Sequence, residues 1–419
     1  MSSNRIAELR ARLQQMGLIK PASKVVARPA KRTIEQLVPG VWREAAGMRC
    51  YYHVEAYPLE HAHGCRALRE ALEVAPDEWT PFLVNLEEAP LDLRQAVFID
   101  TETSGLGQNP STYVFMVGAG RFIGNQFIVG QYLMPDFVSE EALLELLAAD
   151  LDGRRGLVTF NGRTFDWPLI EMRYMLNRRI PPDVASPHLD LLPLARRLWR
   201  RRLVSCALGS LENNLLGLQR SGADVPGYLI PQLYREYVDY GLAEPMAGVF
   251  YHNVQDVLSM VSLSAIAGQT LSALGNPDMA PAADFLALGK LFTRLGRHDD
   301  ALRAMELAAG SGPDRDEQAL ALRQWSMLLK RLGKWQEAAD IWEAQLGPDS
   351  LYAYEELAKY HEHQRRDPYA AAVVVRQALE QLAAQGAVLS RLEAQLYENS
   401  FRHRLERLER RTARQDGTR

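Results

Sequence analysis

The chain is poor in cysteine: Cys50, Cys65 and Cys206 are the only three in 419 residues, odd in number and widely spaced. That excludes a disulfide framework and any paired CxxC zinc pattern, and a reducing cytoplasm is the expected setting. Long apolar runs are missing too. No stretch approaches the ~18 apolar residues that suggest a membrane span. The mixed-charge start, MSSNRIAELRARLQQMGLIK, lacks the apolar centre of a signal peptide. Nor is there an excess of positive charge, since 48 Lys and Arg face 52 Asp and Glu for a net −4. This balance argues against a protein that coats nucleic acid nonspecifically. It leaves room for an enzyme that gathers carboxylates in one place and holds phosphates with basic patches elsewhere.

What is present is enough apolar material, 47% of residues, for the buried cores of two or three domains. Residues 1–34 read as an amphipathic helix and a Pro- and Lys-containing linker. Residues 35–92 form a mixed segment with strand-like runs such as Cys50-Tyr51-Tyr52-His53-Val54, expected to pack on the central region of the chain. In that region, 93–270, strand-like and helix-like stretches alternate. A short apolar run ends at Asp100, and a meander comes next over Thr112–Phe122 and Gln126–Leu133. A helix is expected over 139–151 and a buried strand over 156–160. Strands first in a meander, then alternating with helices, predict a mixed α/β sheet flanked by helices.

Residues 281–390 have another periodicity. Gly296 recurs as Gly333, 37 residues later, with Leu295/Leu332, Ala301/Ala338 and Glu306/Glu343 in register. A poorer third copy is LAKYHEHQRRDPYAAAVVVRQAL. Repeats of this length predict an all-α domain of helix–turn–helix units that resemble tetratricopeptide repeats. Such units commonly present a concave surface to a protein partner. The last stretch, 391–419, reads as a charged helix fraying into a tail.

Three segments carry chemistry. In VFIDTETSGLG, Asp100 and Glu102 sit two apart on a predicted strand, so both carboxylates share one face. Two acids on one face at the end of an apolar strand are costly without a cation between them. Oxygen donors without Cys or His nearby favour Mg²⁺ or Mn²⁺ over zinc. A bare DxE is equally what a solvated strand end offers. In FNGRTFDWPLI, Asp166 opens an apolar helical run, where an acid is often only a cap; Asn161 and Gly162 suit a loop that bonds substrate. In GVFYHNVQDVLSM, His252 and Asp256 stand at i and i+4 on one helical face, a base beside a carboxylate or simply a surface hydrogen bond.

The order and spacing of DTETSGL, NGRTFD and YHNVQD resemble motifs I, II and III of the DEDD exonucleases in the ribonuclease-H-like superfamily, and in particular the bacterial YprB-like proteins. The resemblance covers roughly residues 35–270, YPLEHAHG included. It implies a ribonuclease-H-like sheet and a 3′→5′ exonuclease acting on DNA or RNA. Asp100, Glu102, Asp166 and Asp256 would hold two divalent metal ions, Mg²⁺ or Mn²⁺, about 4 Å apart. Thr101 and Leu106 would lie near the terminal base, and Asn161 near phosphate or sugar. The family places either a His five residues before the last Asp or a Tyr four before it. Here the identities are exchanged, with Tyr251 at five and His252 at four. Helical geometry favours His252 as the base, with Tyr251 as the fallback.

Elsewhere, LARRLWRRRLV holds five arginines and Trp199 within 196–202. It reads as a solvated helix face or as a phosphate grip, and its place between motifs II and III favours substrate binding by Arg200 and Trp199. The neighbouring SCALGSLENNLLG reads as packing. His61, His63 and Cys65 lack a second pair of ligands and read as structural. Asp190, after His188, is expected to support rather than ligate. Gly105 and Gly107 lack the Lys and Ser/Thr of a phosphate-binding loop. Two alternatives stand beside the exonuclease: a binding module that has lost catalysis, and a structure-specific endonuclease on the same fold.

Overall fold

The computed structural model describes residues 31–83, 89–105, 107, 109–277, 280–310, 315–347, 350–384 and 391–416. Nearly all of the expected N-terminal helix and linker, and Leu106, lie outside them. The sheet has seven strands: β1 (Val41–Ala45), β2 (Met48–Pro58), β5 (Val97–Thr103), β6 (Val114–Ile123), β7 (Gln126–Leu133), β8 (Leu157–Thr159) and β9 (His188–Asp190). β3 (Ala62–His63) and β4 (Arg66–Ala67) form a separate small ribbon. The order across the large sheet is β1-β2-β7-β6-β5-β8-β9. The first five strands are antiparallel, and β5, β8 and β9 run parallel. The segment before residue 92 therefore extends the sheet as well as packing on it. Its hairpin turns on Ala46 and Gly47, both at positive φ (52° and 72°), as a tight two-residue connection between twisted strands requires.

Helices cover both faces: α1 (Glu140–Leu151), α2 (Asp166–Leu176), α3 (Leu191–Trp199), the single turn α4 (Leu208–Leu211), α5 (Ile230–Tyr240) and the long α6 (Met246–Leu271). Alternation along β5 sorts the two cores. Val97 and Ile99 join Leu143, Leu147 and Ile170 of α1 and α2. Phe98 joins Leu198 of α3 and Val257 and Val261 of α6. Continuing that alternation, Asp100 and Glu102 face the α6 side and Thr101 the α2 side.

The helical region comes next, with α7 (Ala282–Arg294), α8 (His298–Gly310), α9 (Arg315–Arg331), α10 (Trp335–Ala344), α11 (Leu351–His363), α12 (Pro368–Ala384) and α13 (Arg391–Asp416). Three antiparallel pairs, α7/α8, α9/α10 and α11/α12, repeat one design. Each turn contains a left-handed residue: Gly296, Gly333 and, in the third, Arg366 at φ 56°. Five residues on in each case, Ala301, Ala338 and Ala371 are fully buried at the helix crossing. The third copy is hard to see in sequence because an arginine occupies the position where glycine is conformationally preferred. Through Arg411 the charged C-terminal helix packs on the helical region, and the last residues of the expected tail lie outside the described ones. Phe401 and Leu408 are buried, and Arg404, Arg407 and Arg411 converge on the buried Glu362 at 2.7, 2.7 and 3.2 Å. No helix among the described residues is long and apolar enough to cross a membrane.

The two regions share a core. Phe285, Leu288, Phe292 and Met305 belong to the same apolar cluster as Leu198 and Trp199. Across this seam, Arg202 forms a bidentate pair with Asp284, both contacts at 3.0 Å, and Asp284 is only 2% exposed.

Candidate active site

β5 ends in the centre of the sheet, beside the mouth between α2 and α6. In register, Asp100 opposes Gly118 and Glu102 opposes Met116, with a bulge just beyond Glu102. A bulge at this point ends regular pairing and re-aims the strand end. Gly118 leaves space for the neighbour that orients Asp100. A Cβ there would stand 2.2 Å from Asn253 Oδ1. Asn253, wholly buried on α6, donates from Nδ2 to Asp100 Oδ2 at 2.8 Å and accepts from Gln131 Nε2 at 2.8 Å. Gln131 also donates to the Phe250 carbonyl at 2.9 Å.

Asp166 opens α2 and accepts a hydrogen bond from the Thr101 hydroxyl. The loop before it is held from β9: Asp190 accepts from the backbone N–H of Asn161 at 2.8 Å and of Arg163 at 3.2 Å, and from Leu192 at 3.1 Å. Asp190 thus shapes the Asn161–Arg163 loop from behind. Asn161 is exposed with φ 65°. Thr101, expected near a terminal base, spends its hydroxyl on Asp166.

Asp256 lies on α6 next to His252, whose Nε2 is 3.7 Å from Asp256 Oδ2. His252 Nδ1 lies 2.8 Å from Asp224 Oδ1 and 3.2 Å from Arg220 Nη1; the tautomer that donates Nδ1–H to the nearer Asp224 leaves Nε2 as the acceptor. Tyr251 points elsewhere, accepting from the backbone N–H of Ser221 at 3.2 Å. Sequence reading missed the cation here. Arg220 pairs with Asp256, binds Glu212 through Nε at 2.9 Å and through a terminal nitrogen at 2.6 Å, and stands 3.6 Å from Asp224. Glu212, read as packing, is buried and also accepts from Ser259 at 2.6 Å. Ser259 in turn contacts His63 at 2.8 Å, which gives His63 its structural role. A lone arginine in GLQRSGAD and a glutamate in SLENN carry no local signal of this pairing.

Neighbouring buried carboxylates oppose one another's ionisation. Burial, then repulsion from Asp256, Glu102 and Asp166, raises Asp100 well above the usual range. Burial and the neighbouring Asp256 and Asp166 do the same to Glu102. Burial lifts Asp166 to about 6, against the Thr101 bond. Asp256 is raised by burial, with Arg220 and His252 opposing. Glu102 Oε1 is buried with no hydrogen-bond partner. An all-oxygen set with mutual repulsion and an orphaned carboxylate oxygen suits a hard divalent cation. As they stand, though, no three such donors among the described residues are gathered as a metal-binding group, and Arg220 occupies Asp256.

Of the remaining expectations, Arg200 is exposed and Trp199 is not. Trp199 is 1% exposed in the core at the seam, so its indole packs and cannot stack a base. Five arginines around one aromatic suggested a base-stacking grip, but on α3 the aromatic falls on the apolar face.

A family model of the RNase H superfamily matches residues 97–267, which span the strands and helices of this site. The uncharacterized protein YprB of Bacillus subtilis (strain 168) is 33% identical over 357 residues, covering 81% of this chain and 84% of the relative. A match of that extent necessarily reaches into the helical region.

Proposed function

The chain belongs to the RNase H superfamily and shares a family with YprB, and from that premise we propose a metal-dependent 3′→5′ exonuclease of the DEDD type. The observation that carries the reading is the set of buried, mutually repelling carboxylates with the unpartnered Glu102 Oε1. Asp100, Glu102, Asp166 and Asp256 are the residues that would hold two ions, Mg²⁺ or Mn²⁺. Ions there would supply an activated water and stabilise the charge on the departing 3′ oxygen.

The chain's own groups do the rest. His252 accepts the water's proton at Nε2, with its ring fixed by Asp224. Asn253 and Gln131 hold Asp100, and Thr101 holds Asp166, so these two carboxylates are oriented in advance. Asn161, at the exposed tip of the motif II loop, is placed to bond phosphate or sugar. The helical units, tetratricopeptide-like in spacing and in their buried alanines, form the second domain.

A second reading is a binding module without catalysis. The Arg220–Asp256 pair favours it, because a protein cation stands where an ion is wanted. One experiment separates the readings: 5′-labelled single- and double-stranded DNA and RNA with Mg²⁺ or Mn²⁺, beside an Asp100→Ala control. A ladder shortening from the 3′ end, lost in the control and in chelator, supports the exonuclease. Discrete internal fragments point to an endonuclease, and intact substrates point to the binding module.

A further inference from the structure

The arginine run on α3 does not face open solvent alone. Arg196, Arg197, Arg200 and Arg201 line a cleft of about 170 Å³ whose opposite wall is α7, with Lys290 and Arg294. Arg200, Lys290 and Arg294 are shared with a second cleft of about 370 Å³ that runs on to Gln324 and Arg331 of α9. The two make one track along the seam between the regions. Among the described residues none of these seven cations forms an ion pair with a carboxylate, in a chain whose net charge is −4. The nearby arginines that are paired, Arg202 with Asp284 and Arg297 with Asp300, line neither cleft.

We propose that this seam is a binding track for the phosphodiester backbone of the nucleic acid strand served by the carboxylate site. The repeats would thus hold nucleic acid, beyond any role in recruiting a protein. The inference rests on the nuclease reading for the identity of the polyanion.

Geometry and charge support it together. Guanidinium forks match phosphate oxygens in pairs, and seven cations on α3, the turn after it, α7 and α9 suit an extended polyanion better than a single small one. Crowding already acts on the lining. Burial, then Arg201, Arg200 and Arg294, pushes Lys290 below its usual range, and burial with Arg294 and Arg163 does the same to Arg197. Arg163 also ties the track to the reaction centre. It belongs to the motif II loop, its backbone is held by Asp190, and that loop leads directly into Asp166. A strand lying along the seam would therefore reach the carboxylates past Arg163. An acidic peptide would satisfy the charge but offers nothing that the nuclease site proposed above would act on.

The test is binding of fluorescent DNA and RNA oligonucleotides to the full chain in chelator, across a salt series. The parent is compared with Lys290→Gln/Arg294→Gln, with Arg196→Gln/Arg200→Gln, and with Arg303→Gln as an exposed control away from the track. Each double variant is expected to lower the slope of log K against log salt by about 1.4 on single strands or about 1.8 on duplex. Between roughly 50 and 200 mM salt, the affinity loss then shrinks by about tenfold relative to the parent. DNA and RNA arms show which backbone is preferred. Slopes equal to that of Arg303→Gln overturn the proposal, as does capture of polyglutamate or phosphatidylserine vesicles in preference to oligonucleotides. Binding is read without metal, so the two readings fail separately. Falling slopes without any cleavage would sink only the nuclease, whereas cleavage with unchanged slopes would sink only the track.

Discussion

Replacing Arg220 by Gln should expose how the site is held before any ion arrives. The guanidinium is 13% exposed and serves two carboxylates at once, Glu212 and Asp256. Glu212, 2% exposed, would keep only the Ser259 hydroxyl. Stripping one partner from a buried ion pair costs about 3–5 kcal/mol, mostly from the charge left behind. Asp256 adds less, because its carboxyl is already raised by burial and would take up a proton once Arg220 is gone. The expected loss is therefore about 3–5 kcal/mol, a large share of a domain's stability of roughly 5–15 kcal/mol.

The assay is urea unfolding in chelator and with added Mn²⁺. In chelator the stability of Arg220→Gln should fall by that amount. Adding Glu212→Gln in the same chain should restore most of it, because neither buried charge then remains. With Mn²⁺ the single variant should recover more than the parent gains, up to ~2.7 kcal/mol at an ion concentration of 100 Kd, since Asp256 no longer has a resident cation. A single variant within ~1 kcal/mol of the parent would refute the reasoning. So would a double variant no better than the single.

Other outcomes rest on the same geometry. Gly118→Ala should drive a methyl into Asn253 Oδ1, cost roughly 1–3 kcal/mol and weaken Mn²⁺ binding by calorimetry; Gly153→Ala, with nothing near its Cβ, should not alter Mn²⁺ binding although its positive φ carries strain. Arg202→Ala should destabilise by about 3–5 kcal/mol because it abandons Asp284, and Arg202→Ala/Asp284→Ala should be the milder change in denaturant melts. His63 and His188 are both lowered by burial from 6.5 to about 4. The unfolded chain binds their protons first, so their stability is complete above pH ~6.5 and drains as pH falls toward ~4, by about 3 kcal/mol each. Urea midpoints across that window should slope accordingly, and His188→Gln should flatten the slope; an unchanged slope would remove His188 from the account.

Legibility in the sequence tracked the range of the interaction. β5 could be read because alternation is local: an apolar run ending in two acids two residues apart has one geometric meaning. The proximity of His252 and Asp256 was readable for the same reason, one turn apart on α6. Asn253 was overlooked although it stands between them. Its signal was a polar side chain on the buried side of α6, between Phe250, Val254 and Val257, where an amide needs a partner. That partner, Gln131, is 122 residues away, and no periodicity reports it. Arg220 was unreadable on stronger grounds. Its partners Glu212 and Asp256 are brought together only when the loop after α4 closes over α6.

The same distinction accounts for Trp199 and for the seam. Counting arginines around an aromatic predicts a charged surface without saying which residue of the helix turns inward. On α3, Leu194, Ala195, Leu198 and Trp199 form the buried stripe and Arg196, Arg197 and Arg200 the exposed one, so charge and aromatic are separated by the helical period itself. With Trp199 buried in the core that the two regions share, the backbone carrying the arginines is held against α7. A flexible cationic run would lose much side-chain entropy on binding. Here the backbone beneath the run is already held by Trp199, so only the side chains must order on binding, and cations set in a row facing Lys290 and Arg294 suit an extended backbone. The packing that removed the tryptophan from substrate contact is thus the reason the arginines can serve it.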